Sequence, residues 1–255
     1  MFFTIAGQTD KGIIKSTNQD GLTVKRINTK QGEMVFAAVC DGMGGLAMGE
    51  VASTAMINAF NKWVMNELPL LCQREITEEE IMKQWSELVQ QQNEHIKQYG
   101  NAKGIRLGTT AVAMLFTQNK YFLMNVGDSR AYRINEGIRQ LTKDQTFVAR
   151  EIEAGRMTPE EAERDERRNV LLQCIGASEK VYPDFFFGKI QQDEIYMLCS
   201  DGFRHVISED EIFAEFRPEV LENQTFMNNN ALKLITLNKE RMERDNISVV
   251  LIKTS

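Results

Sequence analysis

Histidine and cysteine are scarce in this sequence of 255 residues. Only two histidines occur, so a zinc site with three histidine ligands is excluded. The four cysteines lie far apart, and no C-x-x-C pair indicates a zinc site or a redox couple. Cys40, Cys174 and Cys199 stand inside apolar runs, which predicts buried thiols in a reducing compartment. A metal site in this chain must therefore rely mainly on oxygen ligands.

Positive charge and long apolar runs are also lacking. The chain carries 30 Lys and Arg against 36 Asp and Glu, a formal net charge of -6, which excludes nucleic-acid binding through a broad basic face. No apolar run approaches the roughly 20 residues needed to cross a bilayer. The first residues, MFFTIAGQTDKG, lack the basic start and long apolar core of a secretory signal. We therefore expect a cytoplasmic protein that binds neither nucleic acid nor membranes.

Linker-like segments are absent as well. The sequence has no stretch rich in Pro, Gly or Ser, no internal repeat and only four prolines. A chain of 255 residues suits one large domain, which buries roughly 70–75% of its unfolded surface and needs no disulfide or zinc. We predict a single domain over residues 1–255.

Short strands dominate what is present. MFFTIAG, GLTVKRIN and EMVFAAVC open the chain, and DFFFGKI, EIYMLCS and NISVVLI come near its end. GTTAVAMLFT and KYFLMNV, joined by Gln118 and Asn119, predict an antiparallel hairpin. RAYRIN and IRQL around Gly137 predict another. Hairpins with helices grouped in pairs indicate a layered α+β fold rather than alternating βαβ units.

Apolar periodicity and capping residues predict the helices. An apolar stripe at helical spacing follows the glycine-rich loop after the third strand. Thr77 and Glu80 form a capping box before a second helix. A charged helical insertion is predicted at about 144–169, with a capping box at Thr158 and Glu161.

Four aspartates share a position at the ends of apolar strands. Asp41, Asp128 and Asp201 each follow such a run, and Asp245 precedes one. A single strand-end Asp is usually a turn residue or a cap. Four converging carboxylates repel one another unless cations neutralise them. Hard oxygen ligands suit Mg²⁺ or Mn²⁺, so the spacing predicts a polynuclear site of the kind found in two-metal hydrolases.

The glycine-rich loop allows a different interpretation. Residues 42–47 satisfy G-x-G-x-x-A between a strand and a helix, the weak form of the dinucleotide fingerprint. The strand is third in order rather than first, and its helix leads to another helix instead of a parallel strand. Asp41 would also face the pyrophosphate. No G-K-[ST] follows, which excludes a P-loop. These features disfavour a dinucleotide site.

Seven motifs in order resemble the bacterial branch of the metal-dependent protein serine/threonine phosphatases, the PPM or type 2C-like family. The resemblance covers about 9–250, and it implies two antiparallel sheets packed face to face between helix pairs, an α/β/β/α sandwich with metals at one end. The motifs are TDKGIIKSTNQD, VFAAVCDGMGG, GTTAV, VGDSRAYR, LTKDQTF, CSDGF and DNISVV.

The resemblance also implies roles for the acids. Asp41 would bridge two metals and the carbonyl of Gly42 would bind the second, while Asp201 and Asp245 would hold the first. Asp20 matches an acid in or next to the metal cluster. The cofactor would be Mn²⁺ or Mg²⁺, with two ions tightly held.

Two further features follow from the same resemblance. Asp128, with Asp201, matches a weaker third metal site. The insertion at about 144–169 corresponds to a flap that borders the cleft. On its sequence alone this insertion is a solvated, charged pair of helices.

The sequence departs from the family pattern at three places. Lys15 stands where an arginine usually binds the substrate phosphate, so we expect weaker binding because lysine lacks the bidentate geometry. Met43 replaces a histidine that some eukaryotic members have as a proposed general acid, and neither His95 nor His205 matches that position. In the flap, residues 165–169 read DERRN where relatives often have His-Pro, which alters either substrate choice or flap mobility.

The expected function is hydrolysis of phosphoserine and phosphothreonine in proteins by a metal-activated water, without a phosphoenzyme. Asp41, Asp201 and Asp245 would be its catalytic acids. The expected partners are phosphorylated proteins, including Ser/Thr kinases that the enzyme opposes, and we expect a monomer. The alternative is a catalytically silent relative that binds phosphoproteins. Hydrolysis of p-nitrophenyl phosphate with Mn²⁺ separates the two.

Overall fold

Two antiparallel sheets pack face to face in the computed structural model of the chain, which describes residues 1–44 and 48–255. Within these residues the strands are β1 (Phe3–Asp10), β2 (Asp20–Thr29), β3 (Gly32–Gly44), β4 (Leu107–Thr109), β5 (Ala111–Phe116), β6 (Lys120–Val126), β7 (Arg130–Ile134), β8 (Ile138–Gln140), β9 (Asp184–Lys189), β10 (Ile195–Cys199) and β11 (Ile247–Thr254). The helices are α1 (Gly49–Asn66), α2 (Leu68–Leu71), α3 (Glu78–Lys103), α4 (Phe147–Glu153), α5 (Pro159–Arg164), α6 (Asp201–Arg204), α7 (Glu209–Phe216) and α8 (Gln224–Glu240).

The sheets differ in which parts of the chain they combine. One has the strand order β1-β11-β10-β7-β8 and therefore joins both ends of the sequence. The other has the order β2-β3-β5-β6-β9, and β4 adds to β3. The hairpins β5–β6 and β7–β8 are antiparallel, as predicted from their turns.

Three apolar interfaces separate the four layers. Along β3, side chains alternate between the two faces, and both faces are buried. One set packs under α1 and α3, and it comprises Met34, Phe36, Ala38 and Cys40. The other set packs against the second sheet, and it comprises Val35, Ala37 and Val39. The outer face of the five-stranded sheet is covered by α6, α7 and α8. The predicted four-layer α+β sandwich is confirmed.

The predicted caps are confirmed in atomic detail. The side chain of Thr77 accepts a hydrogen bond from the backbone N–H of Glu80, whose carboxylate accepts one in return from the backbone of Thr77. Thr158 and Glu161 do the same at the start of α5. Each cap satisfies donors at a helix N-terminus that have no partner inside the helix.

The cysteines are unpaired thiols, and the three predicted to be buried are buried. Burial raises the pKa of Cys199 to about 12, so this thiol stays protonated at neutral pH. Among the described helices, none combines the length and the apolar character needed to span a membrane.

The end of β3 differs from the prediction. The apolar run stops at Cys40, but the strand continues to Gly44 because Gly42 and Gly44 pair with β4. Asp41 therefore lies inside a paired strand rather than at a strand end. The second half of the glycine-rich loop, residues 45–47, lies outside the described residues.

Candidate metal centre

Neighbouring strands bring the first two acids of the centre together. Asp20 is the first residue of β2, and it stands opposite Asp41 in the register with β3. Residues directly opposite in an antiparallel pair have Cα atoms about 4.5–5.5 Å apart. The pairing thus places two carboxylates side by side at one end of the six-stranded sheet.

Hydroxyl groups fix the backbone of Asp41. Its N–H donates to Oγ1 of Thr110 at 3.0 Å, and its carbonyl accepts from the N–H of Thr110 and from Oγ1 of Thr109, each at 2.9 Å. Oγ1 of Thr110 also lies 2.7 Å from Oγ of Ser129, next to Asp128. The G-T-T and G-D-S-R motifs are therefore joined behind Asp41.

Close backbone contact brings Asp201 next to Asp245. Asp201 begins α6, and a Cβ added to Gly202 would lie 2.2 Å from the carbonyl oxygen of Asn246 and 3.2 Å from Cβ of Asp245. Only glycine permits this approach. The side chain of Asn246 then ties down the loop before β2, since its Oδ1 accepts from the N–H of Gln19 at 2.8 Å.

The carboxyls of the centre are short of hydrogen-bond donors. Both oxygens of Asp20 and Oδ1 of Asp201 are buried without a hydrogen-bond partner in the described part of the chain. Burial raises the pKa of Asp20 to about 7; the nearby hydroxyls of Ser248 and Ser200 lower it, and the charge of Asp201 raises it. An acid in this state is poised to exchange its proton for a cation.

The same electrostatics affect the other acids. Removal from water raises the pKa of Asp41 well above its usual value, and the charges of Asp20 and Asp201 add to this effect. Burial raises the pKa of Asp128 to about 7, with Asp201 raising it further and Arg204 lowering it. Each acid thus increases the proton affinity of its neighbours, which is the cost of bringing them together without a cation.

Unpartnered carboxylate oxygens form a donor set that suits hard divalent ions such as Mg²⁺ and Mn²⁺. Gly42 allows close backbone approach, because a Cβ there would lie 2.3 Å from the carbonyl oxygen of Gly49. Across residues 1–44 and 48–255, no three acidic, histidine or cysteine side chains are grouped closely enough to form a ready coordination set.

Lys15 lies at the entrance to the centre. Its Nζ contacts Oδ1 of Asp245 at 2.9 Å, and 39% of its side chain is exposed. Partial burial lowers the pKa of Lys15, but the hydrogen bond to Asp245 and the charge of that carboxylate outweigh it and leave the pKa raised. The ammonium group is therefore charged at neutral pH and faces the cleft.

His205, which the sequence analysis set aside as a match to the general acid, contacts an acid of the centre. Its Nε2 lies 3.4 Å from Oδ2 of Asp201, and its Nδ1 lies 3.5 Å from Oε2 of Glu243. Glu243 in turn accepts hydrogen bonds from the backbone N–H groups of Arg244 and Asp245 at 2.7 and 2.9 Å. The sequence signal was its position four residues after Asp201, one helical turn away.

A cleft of about 1630 Å³ runs from the centre to the flap segment, residues 144–169. Arg130 holds Asp144 at the start of the flap segment through two hydrogen bonds of 2.8 and 2.7 Å. Arg204 approaches the same carboxylate at 3.6 Å. Val148 and Arg150 of α4 also line the cleft. The flap segment is therefore anchored to the strand that follows Asp128.

Comparisons with known proteins agree with this architecture. The sequence model described as protein phosphatase 2C matches residues 14–233. The serine/threonine phosphatase stp of Listeria innocua is 32% identical over 249 residues, 96% of this chain and 94% of that protein. The S. agalactiae serine/threonine phosphatase structure has a TM-score of 0.84 at 26% identity, and each chain is covered to 100%. The catalytic domain of the phosphatase PstP in complex with two manganese ions has a TM-score of 0.77 at 28% identity, with 98% of this chain and 97% of that chain covered.

Proposed function

Since the chain belongs to the protein phosphatase 2C family and is a serine/threonine phosphatase, we propose that its aspartate cluster is the catalytic centre for phosphoserine and phosphothreonine in proteins. The expected family and enzyme class are confirmed. The observation that carries the proposal is the set of buried carboxylate oxygens without hydrogen-bond partners on Asp20 and Asp201. Buried polar atoms of a folded chain normally find partners, and here a cation would supply them.

Each residue of the cluster would bind a particular ion. Asp41, Asp201 and Asp245 would hold one ion, and Asp41 with the backbone carbonyl of Gly42 would hold the other. Asp20 lies in or next to this cluster. Mn²⁺ or Mg²⁺ fits the oxygen donors, and the PstP structure with two manganese ions supports a pair of ions. When bound, such ions acidify water and neutralise phosphoryl oxygens.

A third, weaker ion would bind at Asp128 and Asp201. Both residues are buried, at 8% and 9% exposure, and one oxygen of Asp201 has no hydrogen-bond partner among the described residues. The site adjoins the main cluster because Ser129, next to Asp128, contacts the threonine that holds Asp41.

The side chains of the chain itself would orient the reactants. Lys15 carries its charge at the mouth of the centre, where it can attract and position the phosphate dianion. Water attacks phosphorus, the bond to the seryl or threonyl oxygen breaks, and that oxygen leaves with a proton from water. Met43 has no proton to give, so it cannot serve as the acid. The products are a free hydroxyl group and inorganic phosphate.

The cellular role follows from the substrate class. Phosphorylated proteins dock over the open cleft beside the flap segment, and Ser/Thr kinases of the same cytoplasm are both opponents and substrates. The enzyme acts as a monomer in a single domain. The protein stp of Listeria innocua, a serine/threonine phosphatase similar over nearly its whole length, supports the substrate class.

Hydrolysis of p-nitrophenyl phosphate and of a phosphothreonine peptide in Mn²⁺ tests the proposal. Wild type should be active and lose activity in EDTA, and Asp41→Asn/Asp201→Asn should lose at least about 1000-fold in kcat/KM. Asp210→Asn, at an exposed acid of α7, is the matched control and should behave as wild type. If wild type is no faster than the double variant, the chain is a silent relative and the proposal is wrong.

A further inference from the structure

Arg204 places a fixed positive charge against the outer edge of the centre. It ends α6, which begins at Asp201, and only 14% of its side chain is exposed. Its Nη2 donates to the backbone carbonyl of Asp128 at 2.9 Å. Its Nε is buried without a hydrogen-bond partner in the described residues. A buried guanidinium is costly to remove from water, so its position needs compensating negative charge.

The nearest carboxylate supplies little of that compensation. Asp144 lies 3.6 Å from Arg204, but both of its oxygens already accept shorter hydrogen bonds from Arg130, at 2.8 and 2.7 Å. One carboxylate thus serves two guanidinium groups. The charge of Arg204 also acts on Asp128, whose backbone carbonyl it contacts, and on Asp201, three residues earlier in the same helix.

We propose that Arg204 neutralises the pair formed by Asp128 and Asp201 from within the chain and thereby weakens the binding of a third divalent ion there. The inference rests on the proposed metal centre. Arg204 and Asp201 are three residues apart on one helix, so the backbone keeps their charges together. A cation arriving at the pair meets a charge of its own sign that cannot move away.

The size of the effect follows from Coulomb's law. Two like charges several ångströms apart still repel one another at an effective dielectric constant of about 20. Relaxation and water entering the space reduce this repulsion. We therefore expect that removing the charge tightens the third ion by about ten-fold or more. The first two ions should change much less, because Arg204 contacts Asp128, which would hold only the third ion.

Counting bound Mn²⁺ tests the inference without measuring catalysis. Equilibrium dialysis with elemental analysis, together with the electron paramagnetic resonance signal of free Mn²⁺, gives the number and affinity of ions on wild type and on Arg204→Met. Arg204→Met should bind the third ion about ten-fold more tightly than wild type does. Adding Asp128→Asn to this variant should abolish the increase in affinity. Arg204→Lys retains the charge and should resemble wild type.

Arg106→Met is the matched control, because Arg106 also donates to a backbone carbonyl, that of Ala177 at 3.2 Å, but lies away from the cleft. The inference is overturned if Arg204→Met binds the third ion no more tightly than wild type. If circular dichroism shows that Arg204→Met is unfolded, the affinity of the wild-type protein for the third ion tests the inference instead. A third ion bound there as tightly as the first two, and lost in Asp128→Asn, contradicts the inference. Wild type that binds no Mn²⁺ at all would instead contradict the proposed metal centre.

Discussion

Lys15 is the side chain that we propose binds the substrate phosphate. Its ammonium group is a point charge held against Asp245, whereas an arginine could reach the same carboxylate and still present a planar pair of donors to a phosphate. The single ion pair is half-exposed and therefore weak. Lys15 is thus free to turn to a substrate, but it offers that substrate fewer directed hydrogen bonds.

We predict that Lys15→Arg lowers KM for p-nitrophenyl phosphate by about five-fold, equivalent to about 1 kcal/mol of added charge-assisted hydrogen bonding, with little change in kcat. Steady-state kinetics in saturating Mn²⁺ measures both. Lys11→Arg, at an exposed position of the same loop, is the control and should leave KM unchanged. If KM and kcat of Lys15→Arg equal those of wild type, Lys15 does not contact the phosphate.

Single residues were also the hardest to place from sequence. The acids at strand ends were recognisable because each interrupts an apolar run. The sequence did not predict the pairing of Lys15 with Asp245 or the contact of Arg204 with Asp128. A sequence shows which groups are charged, but it does not show which distant groups come into contact. The neighbourhood of His205 and Asp201 could have been found from their spacing of one helical turn.

Among the elements, strands and caps were predictable because their signals are local. Alternating apolar runs, turn residues between them and Ser or Thr three residues before Glu each report on adjacent positions. The continuation of β3 to Gly44 was not predictable, because a glycine-rich stretch has no alternation and its strand state depends on pairing with β4. The role of residues 165–169 (DERRN) in the flap segment also could not be predicted from the sequence.

Two arginine side chains pack against one aromatic ring in the flap segment. The guanidinium of Arg167 lies 4.1 Å from the centre of the Phe147 ring, and that of Arg150 lies 5.3 Å from it. Asp165 orients Arg167 through two hydrogen bonds of 3.0 and 2.8 Å. The N–H of Phe147 also donates to the carbonyl of Val170 at 2.8 Å, which joins the two ends of the segment.

Arg167→Ala should therefore loosen the flap segment alone. A cation–π contact at an exposed site contributes about 0.5–1 kcal/mol, so amide hydrogen exchange of residues 147–170 should accelerate by about two- to five-fold. Hydrogen-exchange mass spectrometry measures this, and the melting temperature should change little. Arg168→Ala, whose side chain donates to the carbonyl of Glu163, is the control. Equal exchange in wild type and Arg167→Ala would show that the stacked ring does not hold the segment.

For the whole molecule, the buried acids couple folding to pH and to metal. The pKa of Asp20 is about 7 in the metal-free fold, against about 3.9 in an unfolded chain. Between these values the folded state keeps a proton that the unfolded state has released. The free energy of unfolding therefore falls as pH rises from about 4 to about 7. Asp128, with a pKa of about 7, contributes in the same direction.

We predict that the melting temperature in EDTA falls between about pH 5 and about pH 7.5, and that the added stability from Mn²⁺ grows over the same interval, because ions displace these protons only in the folded state. Differential scanning calorimetry measures both trends. Asp20→Asn, which cannot titrate, should show a shallower fall in EDTA. An identical slope in Asp20→Asn and wild type would show that Asp20 does not carry the effect.

The pairing of β1 with β11 also has a consequence for the order in which the enzyme becomes active during synthesis. Phe3 pairs with Thr254 and Asp10 with Ile247, so the five-stranded sheet cannot close until β11 has left the ribosome. Asp245, two residues before that strand, reaches the acids of β2 and β3 at the same moment. Shorter nascent chains, and fragments cut before residue 245, lack both the closed sheet and one of the proposed metal ligands. Catalytic competence therefore arrives in one late step instead of growing with the length of the chain.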